Sequence, residues 1–203
     1  MELKRMKIVV ATHNKHKVDE IREFFKDDFE VLSADDIGSY DEIEETGDTI
    51  EENALLKARS LANLTDYIVI ADDTGLFVDY LDGKPGVYSA RFAGSNATYE
   101  DNNRKLLRLL EGVPIEKRKA TFRTVVALIY KGKETIIEGK VEGTILDSPR
   151  GQFGFGYDPV FFVDKVGKTL AELTLEEKNE VSHRANALKK LKEYLKNNLE
   201  DFK

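Results

Sequence analysis

The sequence predicts an α/β protein with a mixed β-sheet flanked by helices, and three observations carry this prediction. The apolar runs from Lys7 to Ala11 and from Tyr67 to Ala71 are continuous, as in strands buried on both faces. Segments with helical spacing of apolar residues lie between such runs. Two stretches rich in β-branched residues, Ala120 to Tyr130 and Glu134 to Leu146, flank Lys131-Gly132-Lys133 and predict a long hairpin.

In the first half of the chain, the first strand leads through a polar turn into a helix. That helix is predicted from apolar residues that fall on one side, namely Val18, Ile21, Phe24 and Phe25. Asp48 to Glu51 fits a capping box with Asp48 as the N-cap. The helix behind it directs a second apolar set inward, namely Ala54, Leu55, Ala58, Leu61 and Ala62. The strand that begins at Tyr67 is expected to end at Asp72-Asp73-Thr74-Gly75.

In the second half, Thr98 to Asp101 is another capping-box pattern that begins a helix. Pro149 to Pro159 is a loop rich in glycine and aromatic residues, and Val160 to Val163 is a short strand. Thr174 and Glu177 form a third possible cap. The last amphipathic helix is marked by a set of apolar residues, namely Ala185, Leu188, Leu191 and Leu195.

Composition limits the classes of protein to which the chain can belong. Its 203 residues suggest one domain, 1–203, and no run approaches the length of a transmembrane helix. Cysteine is absent, which excludes disulfides, thiolate catalysis and cysteine-ligated metal centres. We therefore expect a cytoplasmic protein with no membrane partner.

The net charge of −7 comes from one local stretch. Nine carboxylates and no Lys or Arg lie between Asp35 and Glu52, whereas the rest of the chain holds 31 basic and 29 acidic residues. A surface with this acidic stretch and little net positive charge elsewhere argues against binding of duplex nucleic acid through counterion release, so no nucleic-acid partner is expected. The stretch is either a solvated loop or a lobe that holds a hard divalent cation.

The turn after the first strand combines polar and basic residues, Thr12-His13-Asn14-Lys15-His16-Lys17. The following helix N-terminus presents unpaired N–H groups, which suit phosphate, although the turn lacks the glycines of a Walker A loop. An ordinary basic surface turn is the alternative. Asp72-Asp73-Thr74-Gly75 places carboxylates at the end of a buried strand, where they could bind a metal or activate water, or else form a cap.

Two further segments are candidates for a binding site. Phe153-Gly154-Phe155-Gly156-Tyr157-Asp158-Pro159 presents aromatic rings between glycines, a surface on which a nucleobase can stack, although core packing explains it too. Ser182-His183-Arg184 combines a helix cap with a bidentate donor and is weak on its own.

These segments, taken together and in order, make the chain similar to a known family. The shared motifs are Ala11 to Lys17, Glu44-Glu45-Thr46-Gly47, Glu52-Asn53-Ala54, Ala71 to Leu76, Pro85 to Arg91, Phe155 to Pro159, Glu176-Glu177-Lys178 and Ser182-His183-Arg184. The chain resembles the inosine triphosphate pyrophosphatase family, also called the XTP/dITP diphosphatases, over nearly its whole length. It departs at His13, where the family usually has glycine, and at Thr74, where serine is common.

The resemblance implies an elongated α/β fold with two lobes, a central nucleotide-binding cleft and a homodimer. It also implies Mg²⁺-dependent hydrolysis of non-standard purine nucleoside triphosphates (ITP, dITP, XTP) to the monophosphate and pyrophosphate. This activity would remove such nucleotides from the pool. Two alternatives stay open, namely a pyrophosphatase for another modified triphosphate and a non-catalytic nucleotide-binding regulator.

The resemblance also implies a role for each matching residue. The triphosphate would be held by the turn, Thr12, His13, Asn14, Lys15, His16 and Lys17. Mg²⁺ would be bound by Glu44 (or its neighbour Glu45) and by Asp73, which would also act as the base. Thr74 would touch the substrate. The nucleobase wall would comprise a stacking ring and its neighbours, Phe155, Gly156, Tyr157 and Asp158. The site would be closed around base and phosphate by Lys178, His183 and Arg184, and Arg184 is a candidate donor to the purine O6.

Overall fold

The fold is described from a computed structural model, which covers residues 6–41 and 43–202 apart from the side chains of Leu199 and Asp201. The strands of this part are β1 (Lys7–Val10), β2 (Glu30–Ser33), β3 (Ile68–Val78), β4 (Pro85–Gly86), β5 (Lys119–Tyr130), β6 (Lys133–Ile145), β7 (Phe161–Val163) and β8 (Lys168–Thr169). The helices are α1 (Lys15–Phe25), α2 (Ile50–Ala62), α3 (Tyr99–Leu109), α4 (Leu175–Val181) and α5 (His183–Asn197). Several short 3₁₀ turns connect them.

The eight strands within the described residues form one sheet in the order β2-β1-β3-β5-β6-β7-β8, and β4 pairs with β3. β1 runs parallel to β2 and to β3, with Val9 opposite Leu32 on one side and Val69 on the other. β4, β7 and β8 make antiparallel pairings. The sheet is therefore mixed, and the prediction of an α/β fold is confirmed.

The chain divides into two compact units. The first comprises the described parts of Met1–Asp73, Thr124–Gly139 and Arg184–Lys203. Its core joins the two predicted helices at either end of the chain to the parallel strands: Ile21 and Phe25 of α1 and Leu188 and Leu191 of α5 pack in one cluster with Ile8. The apolar spacing that predicted these two helices therefore marks the residues that they bury.

The second unit comprises Thr74–Arg123 and Lys140–His183. Its core includes Leu106 and Leu110 of α3, Phe122 of β5 and Phe161 of β7. The loop before β7 joins this core through Tyr157, whose buried hydroxyl donates to the Ser89 carbonyl oxygen at 2.8 Å. The aromatic loop predicted from the sequence is therefore anchored at this tyrosine.

Two predictions about element ends need correction. The N-cap of α2 is Thr49, whose hydroxyl accepts from the Glu52 backbone N–H at 3.1 Å, rather than Asp48. Two overlapping cap patterns exist there, and the structure uses the one that buries Ile50 at the first helical position. β3 does not end before Asp72 but continues through Asp72-Asp73-Thr74-Gly75 to Val78.

The hairpin of β5 and β6, the short strand β7 and the caps at Thr98 and Thr174 are confirmed. The short strands β2, β4 and β8 were not predicted. No helix within the described residues is long and apolar enough to cross a membrane. Glu42, one of the nine predicted carboxylates, lies outside the described residues.

Candidate functional site

The turn between β1 and α1 is organised by its own side chains. Asn14 is the N-cap of α1, and its side-chain oxygen accepts from the backbone N–H groups of His16 and Lys17. The Thr12 hydroxyl accepts from the Asn14 N–H at 3.2 Å. His13 is turned to the acidic stretch, where its Nδ1 lies 2.7 Å from Asp35 Oδ1. Lys15 and His16 are exposed.

Lys17 belongs to a buried charge cluster on the first unit. Its Nζ lies 3.2 Å from Asp72 Oδ2. Arg184 donates to the same oxygen through Nε and Nη2, each at 3.1 Å, and to Glu20 through Nη1. Arg184, Asp72 and Glu20 are all buried, so each charge depends on the others for stabilisation.

Asp73 faces a different partner set from its neighbour, as alternation along a strand requires. Its Oδ1 lies 3.2 Å from the Nζ of Lys57, and this ammonium also lies 2.7 Å from Glu45 Oε1. Glu45 and Asp73 therefore converge on one cation position. Glu44, the predicted metal ligand, is exposed, so within the described structure Glu45 is the carboxylate that lies with Asp73.

The two adjacent aspartates differ in acidity because their surroundings differ. Burial acts to raise the pKa of Asp72, but Lys17 and Arg184 outweigh it and hold that pKa well below its usual range. Burial raises the pKa of Asp73, and Lys57 offsets only part of this rise. Burial acts to lower the pKa of Lys57, but the carboxylates of Asp73 and Glu45 more than compensate. Asp73 is thus the carboxylate better suited to accept a proton.

The residues around Asp73 fit a magnesium ion of the kind that binds together with its substrate. No group of three or more His, Asp and Glu side chains in the described parts of the chain would hold a metal alone. Mg²⁺ is commonly held by one or two carboxylates together with substrate phosphates and water. Glu45 and Asp73 already place two carboxylate oxygens around one cation, the Lys57 ammonium. This donor set agrees with such a site.

The aromatic loop on the second unit is fixed by a buried ion pair. Asp158 Oδ2 accepts from Lys178 Nζ at 2.7 Å and from the Phe155 backbone N–H at 2.9 Å. The Lys178 ammonium also lies 4.9 Å from the centroid of the Phe155 ring. Gly154 has a φ of +73°, and a Cβ there would lie 2.1 Å from Asp158 Oδ2. Asp158 and Lys178 therefore hold the Phe155 ring in place.

Three more predicted residues lie within this unit. His183 is buried and stacks on Phe122, with ring centroids 4.5 Å apart and an interplanar angle of 25°. Thr74 continues β3 directly after Asp73 and is partly buried. Gly156 has a φ of +64° with open space where a Cβ would be, which leaves its backbone open to close approach.

Sequence reasoning missed two charged residues, Lys57 and Glu20. Each occupies a position on a predicted helix that its apolar stripe should have filled: Lys57 lies three residues after Ala54 and four before Leu61, and Glu20 lies four before Phe24. A charged residue at such a position needs a buried partner of opposite charge. This pattern was the available signal.

The capped polar turn after β1 and the buried carboxylates within β3 suit a phosphorylated group, and the aromatic loop of the second unit suits a nucleobase. These features define a class of α/β nucleotide-binding protein. The chain belongs to the Ham1 family, whose model matches residues 8–194. It is 67% identical over 197 residues to a dITP/XTP pyrophosphatase of Thermoanaerobacter sp. (strain X514), which covers 97% of this chain and 100% of that protein.

Solved structures agree with this assignment. The Ham1 protein of Staphylococcus aureus is 41% identical, with a TM-score of 0.82 and coverage of 94% of this chain and 98% of that one. A HAM1 protein of Coxiella burnetii is 40% identical, with a TM-score of 0.84 and coverage of 95% and 99%. The resemblance to the inosine triphosphate pyrophosphatase family is thereby confirmed.

Proposed function

We propose that this protein hydrolyses ITP, dITP and XTP to the nucleoside monophosphate and pyrophosphate. The observation that carries the proposal is the convergence of Asp73 and Glu45 on one cation position, at a strand that also holds the Asp72–Lys17 pair. Its relatives named dITP/XTP pyrophosphatase support the choice of substrate.

Asp73 is the proposed general base. Its raised pKa favours proton acceptance from a water that attacks the α-phosphorus. The new bond joins the water oxygen to that phosphorus, the bond to the bridging oxygen breaks, and pyrophosphate leaves with its electron pair. The attacking water gives one proton to the Asp73 carboxylate.

The cations of the first unit are proposed to receive the triphosphate. Lys17 and the exposed Lys15 supply positive charge beside the N-terminus of α1, whose backbone dipole also favours an anion. Glu45 and Asp73 would hold Mg²⁺, which would supply charge neutralisation at the phosphates when bound. Glu44 stays the sequence-based alternative to Glu45 as ligand.

The aromatic loop is proposed to stack on the nucleobase. Lys178 lies over one face of the Phe155 ring, so a base would use the other face. Tyr157 and Asp158 act behind this ring, since both are buried and bonded within the protein. His183 and Arg184 stay predicted contacts of the base. The homodimer and the cytoplasmic location are proposals that rest on the resemblance.

The test is release of pyrophosphate and of orthophosphate from dITP, XTP, dGTP and dATP, with Mg²⁺ and after treatment with EDTA. We expect pyrophosphate from dITP and XTP, little from dATP and dGTP, and loss of activity in EDTA that added Mg²⁺ restores. Asp73→Asn should reduce kcat about 100-fold or more. Asp66→Asn, an exposed aspartate just before β3, is the matched control.

Two results would contradict the proposal. Orthophosphate as the first product would place the attack at the terminal phosphorus. Nucleotide binding without any product would favour the non-catalytic regulator. If Asp73→Asn kept more than about a tenth of the wild-type rate, Asp73 would not be the base.

A further inference from the structure

Helix α3 turns one face towards the loop that carries Phe155, and two residues of that face have no assigned role. Tyr99 and Asn103 are four residues apart, so their side chains lie on the same side of the helix. The Tyr99 and Phe155 ring centroids lie 5.9 Å apart, with an interplanar angle of 42°. The Asn103 side-chain amide donates to the Gly156 carbonyl oxygen at 2.8 Å.

The helix itself is held by contacts that do not involve this loop. Thr98 and Asp101 form a complete capping box at its first turn. The neighbouring Asn102 uses both ends of its carboxamide: its oxygen accepts from the Ala93 N–H at 2.7 Å, and its nitrogen donates to the Ala90 carbonyl at 3.0 Å. These contacts hold the first turn of the helix, and with it Tyr99, in addition to the Asn103–Gly156 hydrogen bond.

Asn103 differs from Asn102 in a way that points to the loop. It is 8% exposed, yet its side-chain oxygen has no hydrogen-bond partner. Within the described structure, its side-chain amide donates to the carbonyl oxygen of Gly156, the residue after Phe155. Buried polar atoms are nearly always paired, so an unpaired one beside a proposed binding loop calls for a functional explanation.

We propose that Tyr99 determines specificity by favouring purine over pyrimidine bases, and that Asn103 is the positioning residue that keeps Gly156, and so the neighbouring Phe155, beside it. The inference rests on the proposed function, in which Phe155 stacks on the base. A purine has a second fused ring and extends further across an aromatic surface than a pyrimidine does. Tyr99 is 44% exposed and lies at a distance typical of interacting rings, so it offers that second ring a contact.

The first test measures kcat and KM for dITP, together with the inhibition constant of dUTP against dITP hydrolysis. In Tyr99→Ala, we expect the KM for dITP to rise about fivefold, a fraction of a full stacking contact, while kcat stays within about twofold. The inhibition constant of dUTP should stay within about twofold, because a pyrimidine does not reach Tyr99. Tyr99→Phe should restore the wild-type KM.

The matched control is Tyr80→Ala, which removes another half-exposed tyrosine of the second unit. It should leave both constants unchanged. If Tyr99→Ala weakens dITP and dUTP equally, or leaves both unchanged, the proposed specificity role is wrong.

The second test is a double-mutant cycle with Phe155→Ala. If Tyr99 acts on the same base as Phe155, then Tyr99→Ala should add less than about twofold to the KM once the Phe155 ring is gone. Asn103→Leu should also raise the KM about threefold with kcat retained, and this rise should likewise vanish in the Phe155→Ala background. Full additivity in both cycles would overturn the inference.

Failure of the proposed function gives a separate result. If the wild-type protein releases no pyrophosphate from dITP, the inference is tested by calorimetric binding of dITP to the wild type and to Tyr99→Ala. About fivefold weaker binding to the variant would support the role of Tyr99 without the hydrolytic activity. Equal affinity would refute it.

Discussion

Glu20 offers the sharpest test of the buried charge cluster on the first unit. It is 5% exposed and accepts from Arg184 Nη1, while Arg184 itself is 2% exposed. Glu20→Gln keeps the shape of the side chain but removes one negative charge. Arg184 still pairs with Asp72, which Lys17 also contacts. Among Lys17, Arg184, Asp72 and Glu20, the substitution removes one of the two negative charges and leaves both positive charges in place.

Removing one partner of a buried ion pair costs about 3 kcal/mol. For a chain of this length, each kcal/mol shifts the melting temperature by about 2–4 °C, so Tm should fall by about 6–12 °C. Glu23→Gln is the matched control, because Glu23 lies on the same helix and pairs with Lys26 at the surface. The side chain of Glu23 is 40% exposed and that of Lys26 is 59% exposed. That exposed pair should contribute less than about 0.5 kcal/mol.

The assay is calorimetric unfolding of the wild type and both variants in the same buffer, supported by urea unfolding to obtain the free energy. A Tm for Glu20→Gln within about 2 °C of that of Glu23→Gln would refute the reasoning, because the buried charge would then contribute no more to stability than the exposed one. An increase in Tm would show that desolvation of Glu20 outweighs its attraction to Arg184.

Two further predictions concern the second unit. Gly154→Ala should destabilise the loop and raise the KM, because its Cβ would lie 2.1 Å from Asp158 Oδ2 on a backbone with a φ of +73°. Gly167→Ala is the control, because Gly167 has a φ of +74° with open space around a Cβ and should show the backbone strain alone. Equal losses of stability in the two variants would contradict this prediction. The Thr98 hydroxyl and backbone N–H lower the pKa of Asp101, so its stabilising contribution is present above pH ~4 and is lost as pH falls through the lowered pKa. Asp101→Asn should therefore lower Tm near neutral pH but not in strong acid, and a pH-independent difference in Tm would contradict this.

The sequence predicted the long elements because each buries a face that its apolar spacing describes. The shortest strands were not predicted for a physical reason. β4 and β8 have two residues each, which is too few to show an alternation of apolar and polar residues. At the start of α2, the cap pattern occurs in two registers, Asp48 with Glu51 and Thr49 with Glu52. The structure uses the second register, with Ile50 buried at the first helical position.

The candidate site was predictable where local sequence creates it and not where distant segments do. A helix N-terminus after β1 and carboxylates on β3 follow from local order. The partners of those carboxylates do not, since Arg184 lies 112 residues from Asp72. The placement of Glu45 rather than Glu44 beside Asp73 likewise depends on Lys57, which the local pattern hid within a helix.

These partnerships change how the predicted phosphate-binding cations act. Lys17 is largely buried. Burial lowers its pKa, and the nearby carboxylate of Asp72 partly offsets this by raising it. Lys17 thus stays charged to the extent that Asp72 stays ionised, and Arg184 helps to hold Asp72 in that form. Arg184 also repels Lys17 directly, which lowers the pKa of Lys17, so we propose that Arg184 supports phosphate binding through Asp72 alone, whether or not it also reaches the base. Loss of Arg184 would then weaken binding of every triphosphate, whereas loss of a base contact would alter selectivity among them.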